Sequence, residues 1–397
     1  MAIVGAGIIG LAVARELLAR HPRLSVSVLE REREIAAHQT GHNSGVVHAG
    51  LYYAPGSLKA QLCVEGAREL RDYCLARDIP FEQRGKLVIA TAAAELPRLD
   101  ELERRARANA VPGLRRVGPE EIAELEPHAR GLAALFSPAS AVTDFAQIAR
   151  AYAHEIVEAG ATISTGCAVA DVTPTGRGLR LAHAHGATEA GHAIFCAGAW
   201  SDRLAVAAGA RADPRIVPFR GAYLRIVPSR RHLVRSLIYP VPDPSLPFLG
   251  IHLSRHVDGE VSIGPTALIA PARDAYRLRG ARRRDVLDTL AWPGTWRLMS
   301  RSGRPGMREL RLAASRATLL RAGARYVPDL RAADVEPWFA GVRAQALGRD
   351  GRLIEDFAFS LTERALHVRN APSPAATSSL AIARHVVTTA ERALSLG

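Results

Sequence analysis

The chain opens on Ala2-Ile3-Val4-Gly5-Ala6-Gly7-Ile8-Ile9-Gly10, a short apolar run leading into glycines spaced G-x-G-x-x-G. From Leu11 onward Ala14, Leu17 and Leu18 recur at helical spacing. Leu24, Val26 and Val28 then alternate with Ser25 and Ser27, and the run ends on Glu30, twenty residues past Gly10. The pattern predicts a β-α-β unit with an acid at the tip of its second strand, which is a dinucleotide-binding arrangement.

Each residue type has a physical task there. Gly5 allows the tight turn out of the strand, Gly7 lets backbone approach a pyrophosphate, and Gly10 lets the helix pack closely on the sheet. Unpaired N–H groups and the dipole at the helix start favour the phosphates. Glu30 would accept hydrogen bonds from a ribose diol, which argues against a 2′-phosphate and so against NADP. The unit alone fits FAD as well as NAD. Only four residues precede Gly5, so the first strand is expected to be short, with no room for a signal or transit peptide and with a start a few residues upstream left open.

With 397 residues and 48% hydrophobic content, two intertwined domains are the expectation. No uninterrupted apolar stretch reaches the roughly 18 residues a membrane span needs. Cys63, Cys74, Cys167 and Cys196 form no C-x-x-C pair and no metal spacing, so they read as small buried residues of a reduced cytoplasm. The formal charge of +13 comes almost wholly from arginine, since lysine occurs only at Lys59 and Lys86. No basic run is interleaved with aromatics as a single-strand groove requires, so nucleic acid is not expected as a partner.

Taken in order, His42–Tyr53 suits a loop and short helix close to a cofactor. Ser57 is an N-cap for a helix running to about Ala76, and Lys59 in its first turn opposes the helix dipole, which hints at an anionic ligand. Phe81 to Thr91 reads as a hairpin around Arg84-Gly85. Helices follow over 95–110 and from Pro119, then a strand over 132–136 and a helix capped by Asp144. A strand starting at Gly160-Ala161-Thr162-Ile163 is expected to continue into Val169-Ala170-Asp171-Val172. Ala193–Trp200 reads as a third parallel strand ending on Ala-Gly-Ala. Short strands at 222–227, 236–239, 248–253 and 261–264 suit an antiparallel sheet that roofs a substrate pocket. Residues 273–325 are helical, with fourteen arginines against four acids. A solvated face is the favoured reading there, and an anionic membrane surface the alternative. Pro374 stands at the expected start of the C-terminal helix.

GAGIIG, SGVVHAGLYYAPGSLKAQLCVEG, YPVPDPSLPFLGIHLS and GVRAQALGRDGRLIEDF with the closing VRNAPSPAATSSLAI span the chain. Together they resemble the FAD-dependent L-2-hydroxyglutarate oxidases and dehydrogenases, within the D-amino-acid oxidase and glycerol-3-phosphate dehydrogenase superfamily. The resemblance implies an α/β (α+β overall) protein: a Rossmann-like FAD-binding domain from 1–80, 141–213 and 330–397, and a discontinuous substrate domain on a mainly antiparallel sheet from 81–140 and 214–329. Non-covalent FAD is then implied to lie on Gly5, Gly7, Gly10, Glu30, Ser44, Gly45, Val169, Gly198 and a helix start at Ala375, Ala376 and Thr377. Val169 would meet the adenine through its backbone, and the last helix would point its N-terminus at the flavin N1–O2 edge.

The implied chemistry oxidises the alcohol of a small dicarboxylate 2-hydroxy acid: a base takes the hydroxyl proton and the Cα hydride moves to flavin N5. A histidine has a suitable pKa for the base. His252 on the roof is preferred, because similar dehydrogenases place their base there, and His48 is the alternative. Arg343 matches the arginine that binds the substrate anion in related enzymes, where its fork takes a carboxylate in bidentate fashion. Lys59, Tyr53 and Arg220 are weaker candidates. Two other readings stand beside this one. An amine or glycine-type oxidase of the same superfamily is disfavoured by YYAPGSLKAQLC, and a flavin-containing binding protein at a membrane is suggested by the basic segment alone. The expected location is cytoplasmic, with peripheral membrane contact as the variant. Oxygen, a quinone and a protein carrier all remain open as electron acceptor.

Overall fold

The computed structural model describes residues 1–244, 248–277, 280–301 and 303–394. Residues 245–247 of the YPVPDPSLPFLGIHLS block, and 278–279 and 302 of the basic segment, lie outside the described residues. The first strand, Ala2–Val4, pairs in parallel with Ser27–Leu29 on one side and Ala193–Phe195 on the other. Thr162–Ser164 and Ala365–Asn370 extend this sheet in parallel, and Ala358–Thr362 closes one edge antiparallel. Alternation decides its two faces. Ile3, Val28, Ile194 and Leu366 point into one cluster with the helices Ile8–Arg20, Phe145–Glu158 and Ser379–Leu394. Ala2, Val4, Leu29, Ala193 and Phe195 point the other way, against a three-stranded sheet carrying Val172, Leu179 and Leu181.

A second, nine-stranded sheet runs in the order Leu268–Ile269, Arg215–Ile226, Val261–Gly264, His252–Arg255, Leu237–Pro240, Lys86–Ala90, Ala133–Ser137 and Arg115–Val117. Val335–Leu347 pairs along the outer side of Arg215–Ile226. Leu87, Ile89, Ile238, Leu253 and Ile263 bury one face, together with Ile122, Leu319 and Leu320 from helices. Val88, Ala90, Leu237 and Tyr239 line the other, packed on Val46, Ala49 and Leu51 from the segment after the β-α-β unit. That second face therefore meets the first domain. A buried ion-pair group fastens the two regions: the Arg273 guanidinium, 2% exposed, bonds the Asp202 carboxylate, which in turn accepts the Ile216 N–H.

Several local expectations give way to tertiary pairing. Phe81–Glu82 and Lys86–Ala90 form no hairpin: the former pairs with Ala141–Thr143 in a small sheet, the latter with Leu237–Pro240 and Ala133–Ser137. The strand expected through Gly160–Val172 is two strands in different sheets, Thr162–Ser164 and Asp171–Thr175. In the roof, strand pairing begins only at His252, after Phe248–Ile251. The strand Val335–Leu347, assigned to the FAD domain from sequence, belongs to the large sheet. The C-terminal helix starts at Ser379, and Ala375–Thr377 lie in turns before it.

Candidate active site

The glycine turn is built as its spacing requires. Gly5 has φ +109°, and a Cβ on it would meet the Cys196 carbonyl oxygen at 2.4 Å. A Cβ on Gly10 would stand 1.9 Å from the Gly5 carbonyl oxygen, so only glycine lets helix and strand approach this closely. Glu30 is buried and its carboxylate is held by two backbone donors, Ala6 N–H at 2.7 Å and Glu32 N–H at 3.0 Å. The helix that starts at Ile8 has no acidic residue in its first turn, leaving its positive end uncompensated. These features fit a dinucleotide: a cradle without side chains, a helix terminus and an oriented acid.

The remaining cofactor candidates gather around this turn. Gly45 has φ +67° and sits against the Thr143 carbonyl, with its N–H on the Asn43 side chain and Ser44 beside it. Val169 lies in the loop just past Cys167, whose N–H binds the Glu30 carbonyl. Gly198 follows the strand Ala193–Phe195, with φ +50°. Thr377 is buried and accepts the His48 backbone N–H at 3.1 Å, which ties the Ala375–Thr377 turns to the 46–53 segment. Sequence reasoning missed three contributors. The Thr40 hydroxyl caps the Ile8 N–H at 3.1 Å, and Gln39 accepts the Ala344 N–H at 3.0 Å. Gly66 lets the helix Leu58–Leu75 approach Ser378, where a Cβ would come within 2.6 Å of its Cα. Only Gly66, inside a helical run, carried a sequence signal.

The register of the large sheet brings the catalytic candidates to one face. Lys86 stands opposite Leu237, Leu237 opposite Ser254, and His252 opposite Gly264. Tyr239 stacks on His252 with ring centres 4.1 Å apart. His252 Nδ1 lies 3.0 Å from the Gly250 carbonyl, a contact that fixes Nδ1 as the donor and leaves Nε2 as the ring's acceptor. Burial, opposed by that bond and aided by Arg343, Lys86 and His256, brings the His252 imidazole down to about 3, so the ring is neutral at physiological pH. Burial likewise holds His48 well below the usual histidine range, with Lys86, His252, Lys59 and Arg343 adding to the effect. His48 Nε2 lies 3.2 Å from Ser373 Oγ, and its buried Nδ1 has no partner among the described residues. Arg343 packs over the Phe248 ring at 5.1 Å, and among the described residues no carboxylate pairs with it.

The weaker candidates divide. Lys59 Nζ donates to the Glu355 carbonyl at 2.7 Å and lies 5.3 Å from the Tyr53 ring centre. Its first-turn position is explained by Asp356, which accepts the Lys59 N–H at 3.0 Å. Tyr53 is held in place by Asn109, which donates to its carbonyl at 2.9 Å. Arg220 is not brought to the group. It neighbours Phe219, the residue opposite Arg343, so it faces the other side of the sheet, where its Nε donates to the Ala275 carbonyl at 3.0 Å. Sequence reasoning gave Lys86 no role, yet Lys86 shares the face of His252.

The model of the FAD dependent oxidoreductase family matches residues 1–389. The chain belongs to the FAD-dependent oxidoreductases. Within that family it belongs with the L-2-hydroxyglutarate dehydrogenases. It is 45% identical over 405 residues to the mitochondrial enzyme of Nematostella vectensis, covering 97% of this chain and 89% of that one. To the mitochondrial enzyme of Homo sapiens it is 43% identical over 397 residues, covering 96% and 86%. To the enzyme of Indibacter alkaliphilus it is 40% identical over 381 residues, covering 96% of each. In fold it is similar to an L-alpha-glycerophosphate oxidase from Mycoplasma pneumoniae with FAD bound, with a TM-score of 0.81 at 23% identity over 100% of this chain and 94% of that one. A glycine oxidase from Geobacillus kaustophilus follows at a TM-score of 0.73 and 19% identity, over 98% and 94%. FAD is therefore the cofactor of this chain.

Two substitutions test that cradle separately. Gly10→Ala forces the helix off the Gly5 carbonyl, and Glu30→Ala removes the oriented acid. Both are expected to purify with less FAD per chain than the parent, read from the ratio of flavin to protein absorbance. Full occupancy in Glu30→Ala would remove Glu30 from the cofactor site.

Proposed function

We propose that this chain oxidises L-2-hydroxyglutarate to 2-oxoglutarate with FAD. One observation carries the reading: a buried neutral imidazole, His252, lies close to an arginine that no carboxylate among the described residues balances. The names of the relatives that share 40–45% identity support the same substrate.

His252 is the base in this reading. Its Nε2 accepts the hydroxyl proton, while the Gly250 carbonyl keeps the ring in the required tautomer. FAD, when bound, supplies the acceptor for the hydride that leaves the alcohol carbon. Arg343 binds a substrate carboxylate, and doing so also strengthens the base. The Arg343 charge is one of the causes that lower His252, so a carboxylate on Arg343 cancels part of that lowering and raises the proton affinity of Nε2. His48 orients the reacting groups from the loop, anchored by Thr377 and Ser373. Lys59 holds the edge of that loop against Glu355 and Asp356, with the Tyr53 ring beside its ammonium.

A peripheral contact with an anionic membrane, on a protein located in the cytoplasm, completes the proposal. No helix among the described residues is long and apolar enough to cross a membrane. The basic helices Arg283–Ala291, Pro293–Arg301 and Gly303–Ala314 nevertheless expose Leu287, Leu290, Trp296, Met299, Met307 and Leu310, each 44–55% accessible. Interleaved with Arg283, Arg284, Arg301 and Arg311, they have the composition of a lipid-facing surface.

Rapid anaerobic mixing tests the base and the anion site. His252→Ala is expected to slow flavin reduction about 10²–10⁴-fold with a smaller change in substrate affinity. Arg343→Met is expected to weaken binding at a cost of roughly 2–5 kcal/mol. A wild-type reduction rate in His252→Ala, with a slow one in His48→Ala, reverses the assignment. Bleaching by a primary amine and not by L-2-hydroxyglutarate would replace the reaction altogether. For the membrane contact, sedimentation with phosphatidylglycerol vesicles is expected at low salt and to fall steeply as salt is added. Trp296→Ser with Met299→Ser should lose much of it, and no sedimentation at low salt ends the idea.

A further inference from the structure

Of the two lysines in the chain, one stands where a lysine is costly. Lys86 opens the strand Lys86–Ala90, is 0% exposed, and its ammonium has no hydrogen-bond partner among the described residues. Nζ lies 4.3 Å from the Tyr239 ring centre and 5.4 Å from that of Tyr52. Cation–π attraction offsets only part of the cost of desolvating an ammonium. Two neighbouring polar atoms, Tyr52 Oη and His48 Nδ1, are also buried without partners among the described residues. Buried polar atoms are nearly always paired, so unpaired ones gathered about a cation mark the place of a polar anionic group.

The position of that place follows from strand order. Lys86 lies two strands from His252 on one side, and Arg343 lies three strands away on the other. Both are close enough to His252 and His48 to act on their charge. The surroundings of Lys86 are otherwise apolar, with Leu51, Val88, Leu237 and Tyr239 in one cluster. A small 2-hydroxy acid with a carboxylate at each end needs a second cation besides Arg343, and Lys86 is a buried cation whose charge reaches both histidines.

We propose that Lys86 is the specificity-determining second cation of the site, receiving the distal carboxylate of the dicarboxylate whose other carboxylate rests on Arg343. The inference builds on the oxidation reading above and adds the group that separates dicarboxylates from monocarboxylates. The charge of Lys86 supports it. Burial brings its ammonium down to about 7. The groups facing it behave differently. Burial pushes the Cys63 thiol up to about 12 and the phenols of Tyr52 and Tyr239 above the usual tyrosine range. His252 and His48 are neutral, Lys59 stands beside Asp356, and Arg343 is always charged. Lys86 therefore changes charge near neutrality, and an anion bound to it draws a proton onto it.

The test uses the FAD-loaded enzyme, Lys86→Met and the milder Tyr52→Phe. Glutarate and butyrate binding is read by thermal stabilisation and by perturbation of the flavin spectrum. Reduction is read in parallel with L-2-hydroxyglutarate and L-2-hydroxybutyrate. Lys86→Met is expected to weaken glutarate about 10²-fold and leave butyrate unchanged. Half-saturation by L-2-hydroxyglutarate should rise with it, while the reduction rate at saturation changes less. Wild-type affinity for glutarate should fall as the pH rises above ~7, and that of Lys86→Met should not. Equal glutarate binding by parent and variant below pH ~7 overturns the proposal, as does an equal loss for butyrate. Should Lys86→Met fail to fold, a selective loss of glutarate in Tyr52→Phe supports the proposal and no loss overturns it. If L-2-hydroxyglutarate does not reduce the wild-type flavin, the reaction reading falls, and the glutarate–butyrate comparison still decides Lys86.

Discussion

Four basic side chains, His48, Lys86, His252 and Arg343, share one desolvated space, and no carboxylate among the described residues pairs with any of them. Proteins rarely gather like charge in this way, because each cation loses its hydration without gaining a counter-ion. Here the sheet enforces it. Six neighbouring strands from three separate stretches of chain carry these groups to the same face, and the 46–53 segment closes over them. The molecule lowers the cost by keeping both imidazoles neutral and by setting Lys86 between the Tyr52 and Tyr239 rings. What remains is an electrostatic demand that an anion satisfies.

That demand couples binding to chemistry. Arg343 and Lys86 both depress His252, so the base of the proposed reaction is weakest when the site holds no anion. Carboxylates placed on the two cations remove both influences at once. On the proposed reading a substrate thus raises the proton affinity of the group that takes its own proton, and a ligand without the carboxylates does not. The Gly250 carbonyl contributes the fixed part, holding the tautomer whatever the ligand. An anion in this space also stabilises the fold by mass action, since the unfolded chain has no such site.

Much of the cofactor region was legible because its signals are local. Gly5, Gly10 and Glu30 act within one β-α-β unit, and the close approaches measured at both glycines are those the spacing predicts. Caps were legible for the same reason: Ser57 and Asp144 accept the N–H groups expected of them. Turn chemistry alone misled at Arg84-Gly85, because Phe81 finds its partner at Thr143, sixty residues on. At Pro374 the position rule for helix starts gave way to a run of turns that places Thr377 against His48. Lys86 was illegible: in Lys-Leu-Val-Ile-Ala it reads as the polar end of an apolar strand, and only its register with Leu237 reveals its neighbours. His252 and Arg343 became candidates through family resemblance, whereas their shared face came from the pairing of strands far apart in sequence.

Calorimetric titration of the FAD-loaded enzyme with 2-oxoglutarate, in buffers of differing ionisation enthalpy, measures the demand for an anion directly. At pH ~8 Lys86 is mostly neutral in the free protein, so the account predicts tight binding with uptake of close to one proton per ligand. Binding without proton uptake, or with proton release, would contradict it.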